Sequence, residues 1–508
     1  MKQTQNLDVV RGLKPEALWD FFADICNIPH GSKNESAVAD LVCGLAAQNA
    51  QVSDFARDEA NNVVVYLKAT PGFEERPSVC LQGHLDMVCE KLKESTHNFE
   101  TDSIELVLKD GQLMANGTTL GADNGIGAAT MLAIMMDVTI EHGPLELLFT
   151  TMEEIGFEGA AALNPALIDS KIIINLDSEE EGEIFVGCAG GGRVNGMIAV
   201  PFVAPRIGME KYALVVKGLA GGHSGLEINL GRANAIKLLA RVVDVLRDLG
   251  AQVISLKGGN KMNAIPREAE AVLLLSPDRV EAWMFAFEGI AKVIREEFAV
   301  ADPGIMITLE RVGAATDEQV IEDSTLEAIV DMLMVLPHGV IRMDPNNDKL
   351  VETSNNVGIL ATEGGNLVVT CMFRSSVESQ MDMLQETIKG MAEKAGGTVE
   401  VLNRYAAWEP RFDAPLLVTA KEVYLNLYGV EPAVKTIHAG LECALFYRMF
   451  PGAEIISFGP TMAGVHTPDE KVDVASVWKF WSYLTALLQA VGESVDNDAE
   501  DEEKKETV

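Results

Sequence analysis

The stretch QGHLDMVCE places His84 two positions before Asp86, directly after the apolar run PSVCL. Residues two apart in an extended strand project from the same side, so imidazole and carboxylate can touch. A metal ligand steadied by a carboxylate has this form, and so does a plain hydrogen bond. Groups of the same chemistry recur elsewhere. Glu153 and Glu154 follow LELLFTTM, Asp177 closes KIIINL, Asp123 sits in the glycine-rich turn TTLGADNGIGAA, and His466 lies in TMAGVHTPDE, shortly after AEIISFGP.

Each has an ordinary explanation by itself. Asp123 suits a helix N-cap, Asp177 opens the acidic run DSEEEGE, and Glu153, Glu154 and His466 suit exposed loops. Their shared position at the ends of buried strands argues otherwise, because charges abutting such strands are costly unless paired or coordinated. In an open parallel sheet, ligands bind beyond the carboxyl ends of the strands. Imidazole and carboxylate donors without a thiolate suit zinc, with manganese and cobalt as alternatives. Two dications, three carboxylates and a hydroxide make a neutral cluster. Such a centre brings the pKa of water from about 15.7 toward about 7. A glutamate that binds no metal is then needed to carry the water's proton to the leaving group. The neighbours Glu153 and Glu154 can divide those two tasks.

The elements required to gather these residues are legible as segments. Up to about residue 194, short runs rich in β-branched residues (NNVVVYL, SVCLQG, LELLFTT, KIIINL) alternate with helical periodicity, the mark of a β/α sheet. From 195 to about 400, strands such as KYALVVKGL alternate polar and apolar residues, and long amphipathic helices such as ANAIKLLARVVDVLRDL appear. The β/α character returns from 401 to 492. The expected fold is therefore α/β, a mainly parallel β/α catalytic domain (1–194 and 401–492) interrupted by an inserted α+β lid domain (195–400). The tail 493–508, ESVDNDAEDEEKKETV, lacks apolar residues and is expected to be disordered. GCAGGG (187–192) lacks dinucleotide-binding spacing and is read as a flexible domain junction. GHSG lacks the last glycine of a serine-nucleophile elbow.

Composition narrows the function classes. A formal charge of −36 opposes binding to nucleic acid or an anionic membrane surface. The longest apolar segment, 125–138, is too short to span a bilayer, and the first residues do not read as a signal peptide. Seven scattered cysteines without a CxxC pair fit a reducing compartment, so a cytoplasmic location is expected.

The segments GHLDMV, TTLGADNGIG, LLFTTMEEIGFEGA, INLDSEEEGEIFVGCAGG, GLAGGHSGLEINLGRANA, NAIPREA, VETSNNVG, HAGLECALF and GPTMAGVHTPDE resemble the cytosolic aminoacyl-histidine dipeptidases. These belong to the two-zinc peptidase superfamily that includes carboxypeptidase G and aminoacylase-1. The resemblance runs from about residue 15 to 490. It implies a two-domain zinc-peptidase architecture that hydrolyses unblocked dipeptides, including Xaa-His, by a metal-bound hydroxide. It implies Asp123 between two Zn2+ ions, His84 and Asp177 on one, Glu154 and His466 on the other. Glu153 would be the general base and acid, and Asp86 would hold the His84 ring. His223, Asn263, Arg374 and Glu442 would contact the substrate, Glu442 as partner of a free amine. The inserted domain would act as a lid and admits a homodimer. A related amidohydrolase, deacylase or tripeptidase, and a non-catalytic scaffold are the competing readings. A scaffold would be expected to have lost Glu153 or a ligand, and all are present.

Overall fold

The computed structural model describes residues 2–492 except 317 and 346, so the acidic tail 493–508 lies outside the described residues. The chain forms two compact units. One comprises Met1–Gly187, Pro410–Thr436 and Leu441–Val508, and the other Cys188–Glu409 with Ile437–Gly440. That short return of 437–440 to the second unit has no counterpart in sequence character.

The first unit is built on an eight-stranded sheet. Its order is Val52–Arg57, Val63–Leu67, Leu145–Thr150, Val79–His84, Ile172–Asn175, Glu454–Ser457, Glu183–Cys188 and Ala433–Ile437. The four central strands run parallel. The pairings beside them, of Val63–Leu67 with Leu145–Thr150 and of Glu454–Ser457 with Glu183–Cys188, are antiparallel. Val79–His84 and Leu145–Thr150 are buried at every residue, which is why they read as unbroken apolar runs. The helix Ala122–Met136 is apolar on all sides and buried almost throughout, the pattern of a helix enclosed by its domain. Among the described residues no helix is long and apolar enough to cross a membrane. A small sheet orders Met462–Ala463, Lys471–Asp473, Gln112–Ala115 and Leu106–Lys109.

The second unit is an α+β layer on a nine-stranded sheet, Met306–Ala314, Glu210–Lys217, Ala269–Leu275, Gln252–Gly258, Asn347–Glu363, Asn366–Ser375, Gly190–Ala199 and Gly397–Tyr405, with Gly339–Asp344 joined to Asn347–Glu363. Its pairings are antiparallel. Its helix Ala235–Asp248 buries Ile236, Leu239, Val243 and Leu246 along one stripe, and the Asn234 side chain caps it by accepting from the Ile236 and Lys237 N–H groups.

One expectation is corrected. The boundary between the two units does fall within 187–192, at Gly187/Cys188, but the glycines 190–192 are not flexible; they begin a regular strand paired on both sides. A Cβ at Gly190 would lie 2.5 Å from the Ala407 nitrogen, and one at Gly192 2.7 Å from the Phe373 ring. Close approach of neighbours, and not freedom of the backbone, demands glycine there.

Candidate metal centre

His84 ends its strand, Asp177 stands two residues beyond Ile172–Asn175, and Glu153 and Glu154 follow Leu145–Thr150. Three adjacent parallel strands thus deliver four of the residues to one sheet edge. A buried polar ladder fixes the register just beneath them. Glu442 Oε2 accepts from Gln82 Nε2 at 2.7 Å and from Thr150 Oγ1 at 2.8 Å. Asn175 Nδ2 donates to Gln82 Oε1 at 2.6 Å, and Ser457 Oγ donates to Asn175 Oδ1. Each of the four central strands contributes one rung. A slip of one residue would turn every rung to the opposite face and leave its buried polar atoms unpaired.

Asp123 arrives from the first turn of Ala122–Met136, where it and Asn124 depart from helical geometry. Asn124 is fully buried and donates to the Leu176 carbonyl at 2.7 Å, next to Asp177. Space for it comes from two glycines: a Cβ at Gly83 or at Gly127 would lie 2.3 Å from Asn124 Oδ1. Asp86 organises the other side. Its carboxylate accepts from the Glu153 N–H at 3.0 Å, the Glu154 N–H at 3.2 Å and Ser32 Oγ at 2.8 Å. His84 Nδ1 lies 3.0 Å from the Asp86 carbonyl oxygen and 3.5 Å from its carboxylate. Met152 and His466 take left-handed backbone, φ 52° and 64°, a strain of ~1–3 kcal/mol that surrounding contacts must hold. Glu35 Oε1 helps by accepting the Met152 N–H at 3.0 Å.

The resulting geometry divides at Asp123. Its Oδ1 lies 3.1 Å from His84 Nε2, which is 3.4 Å from Asp177 Oδ1. Its Oδ2 lies 3.0 Å from His466 Nε2, which is 3.0 Å from Glu154 Oε2. One carboxylate therefore faces two separate imidazole–carboxylate pairs. His84 is 1% exposed at its side chain and Glu154 5%, whereas His466 is half-exposed. Ligand atoms of His84, Asp123 and Glu154 lie within 4.8 Å of one another, a spacing suited to a metal ion.

The electrostatics agree with a site shaped for cations. Burial by itself would lower the His84 imidazole, yet Asp177, Asp123 and Asp86 push it well above its ordinary value. At His466 burial is likewise overridden, by Asp123 and Glu154, and its pKa rises to about 11. Asp123 is buried but held well below the usual carboxylate range by the two imidazoles. Burial drives Glu153 and Asp177 well up, and neighbouring carboxylates add to it against the opposing pull of His84. Glu154 Oε1 is buried with no hydrogen-bond partner among the described residues. Without cations the cluster can hold so many carboxylates only by taking up protons; bound dications would meet the same need.

The other candidates lie apart from this cluster in the sequence. His223 and Asn263 are brought together in the second unit. The two-residue strands Gly222–His223 and Ala264–Ile265 pair, and the Ser224 N–H donates to the Asn263 carbonyl at 2.9 Å. Arg374, buried on Asn366–Ser375, donates through Nη1 to the Tyr405 hydroxyl at 2.9 Å, while its Nε has no partner among the described residues. Glu442, in the first unit, is fully buried. Burial foremost raises its pKa to about 7, and its Oε1 is unpartnered among the described residues. Sequence reasoning missed Asn124, Gln82, Asn175, Ser32 and Glu470. Only Glu470, an acid four residues beyond His466, offered a signal.

The model of peptidase family M20/M25/M40 matches residues 80–490. The cytosol non-specific dipeptidase of Escherichia coli (strain K12) is 38% identical over 480 residues, 94% of this chain and 98% of that protein. The crystal structure of aminoacylhistidine dipeptidase from Vibrio alginolyticus matches with a TM-score of 0.85 at 37% identity, covering 95% of this chain and 98% of that one. Aminopeptidase PepT from Bacillus cereus, at 16% identity, shares the fold with a TM-score of 0.54 over 94% of this chain and 99% of its own. With a match that begins in the strand ending at His84 and closes in the helix after His466, this chain belongs to peptidase family M20/M25/M40.

Proposed function

We propose that this peptidase hydrolyses unblocked dipeptides, Xaa-His among them, in the cytoplasm, using two zinc ions at the Asp123 cluster. The observation that carries the reading is the division of Asp123, each oxygen facing its own imidazole–carboxylate pair. The names of the Escherichia coli and Vibrio relatives support the substrate class. Asp123 would be shared, with His84 and Asp177 completing one shell and Glu154 and His466 the other. Manganese and cobalt suit the same donors. When bound, such a pair supplies water of lowered pKa and polarises the peptide carbonyl.

The chain's own groups do the rest. Glu153, its backbone fixed by Asp86, accepts the attacking water's proton and returns it to the departing amine. Asp86 holds the His84 ring and keeps its tautomer. Arg374, Glu442, His223 and Asn263 are candidates for contact with the substrate, Glu442 as the partner of a free amine; Arg374 Nε and Glu442 Oε1 have no partner among the described residues.

A panel of free dipeptides and their N-acetylated counterparts tests this, on protein as purified, stripped by chelator and reloaded with zinc. Free dipeptides should be cleaved, chelation should abolish cleavage, and zinc should restore it. Cleavage of the acetylated compounds alone, or turnover indifferent to chelator, would overturn the proposal.

A further inference from the structure

We propose that Glu470 is a positioning residue of the metal centre: it locks the turn bearing Asp123 to the loop bearing His466, so that the cation between His466 and Glu154 depends on it. The inference rests on the two-cation reading above. Glu470 is 2% exposed, and its carboxylate accepts from four successive backbone N–H groups. Oε2 takes those of Leu120 at 2.8 Å and Gly121 at 3.1 Å, and Oε1 those of Ala122 at 2.8 Å and Asp123 at 3.4 Å. N–H bonds of this kind offset part of the cost of burying a carboxyl group, although burial still raises that of Glu470 to about 7, and here they fix the backbone up to Asp123 itself.

The same residue belongs to the connection that carries His466, between Met462–Ala463 and Lys471–Asp473. That connection is folded on itself. The Glu470 N–H donates to the Thr467 carbonyl at 3.0 Å, and the Thr467 N–H to the Gly464 carbonyl at 3.1 Å. Gly464 has φ 67°, and a Cβ there would lie 2.7 Å from the Asp469 carbonyl oxygen. His466 therefore moves with Glu470, and Glu470 is clasped to the Asp123 turn. His84 and Asp177 are delivered differently, by strand ends whose register the polar ladder sets. Asp123 is common to both halves, so loosening the clasp should weaken both, but the half that contains His466 far more, because His84 and Asp177 keep their places at the strand ends.

The test compares wild-type protein with E470Q and E470D, titrating zinc against a chromophoric chelator and recording the metal-free melting curve. One zinc equivalent should bind within about threefold of wild type, and the other should weaken about 10–100-fold, the usual effect of losing a partner that orients a ligand. Turnover should fall with the weakened equivalent and recover in excess zinc. Equal weakening of both equivalents, or of neither, overturns the proposal. A wild-type protein that does not hold two equivalents sinks the two-cation reading instead, and this one with it. If neither variant folds, hydrogen exchange of the Leu120–Asp123 amides in metal-free wild type decides. Protection supports the clasp, and exchange at the rate of unstructured chain overturns it.

Discussion

Glu153 and Glu154 are adjacent, yet their surroundings differ. Glu154 Oε2 meets His466 at 3.0 Å, whereas burial and the carboxylates of Asp177, Glu154 and Glu442 drive the Glu153 carboxyl well above its ordinary range. A proton carrier should cost activity and leave metal in place. E153Q is expected to lower kcat by about 10²–10⁴-fold, the range for a positioned acid–base group, with zinc content by elemental analysis unchanged. Loss of zinc in E153Q would show that the two glutamates have the opposite roles. At this scale the sequence was informative for residues that terminate apolar runs. It was silent on Asn124 and Gln82, whose work is to bond buried backbone and side chains that only the tertiary fold brings near.

At the scale of elements, the strands bearing the cluster were legible because burial on both faces leaves no alternation to interpret. The glycines were harder. Gly83 and Gly127 stand where a Cβ would strike Asn124, as Gly190 and Gly192 do against Ala407 and Phe373. A glycine needed for close approach reads in sequence like one needed for a turn, and the flexibility wrongly expected of the junction at 187–192 arose from that ambiguity. G127A is therefore expected to destabilise the protein by about 1–3 kcal/mol, as overpacking does. It should also loosen the Asn124 bond to Leu176 and lower zinc affinity. Urea unfolding and a zinc titration measure the two effects, and an unchanged midpoint would show that Asn124 has room to move.

For the molecule as a whole, two histidines held neutral in the second unit contribute a loss of stability on the acid side. In the second unit, burial holds His338 at about 4, and burial with the nearby Arg374 charge holds His438 at about 3. In the unfolded chain both titrate near about 6.5. At these two groups the unfolded state binds more protons than the folded one between those values. Their contribution to stability therefore falls as pH drops from about 6.5 toward 4, while buried carboxyls with raised pKa, Glu442 among them, contribute in the opposite sense. H338Q should flatten that decline, seen as a smaller shift of the urea midpoint between pH 7 and pH 5; an identical shift would exclude His338 as a contributor. The two-part organisation was visible from changes in hydropathy pattern, while the return of Ile437–Gly440 to the second unit was not, since four residues carry no periodicity.

Asp123 and His466 touch at 3.0 Å across 343 positions of sequence, and Glu470 meets the Asp123 turn over a similar span. Contacts between such distant segments form late, because the chain entropy they consume is recovered only after the intervening parts have ordered. Diluted out of denaturant in the presence of zinc, the chain should regain its far-ultraviolet circular dichroism first and its turnover afterwards, on a separate and slower phase. Coincident recovery of the two signals would mean that the reactive centre is assembled as early as the helices.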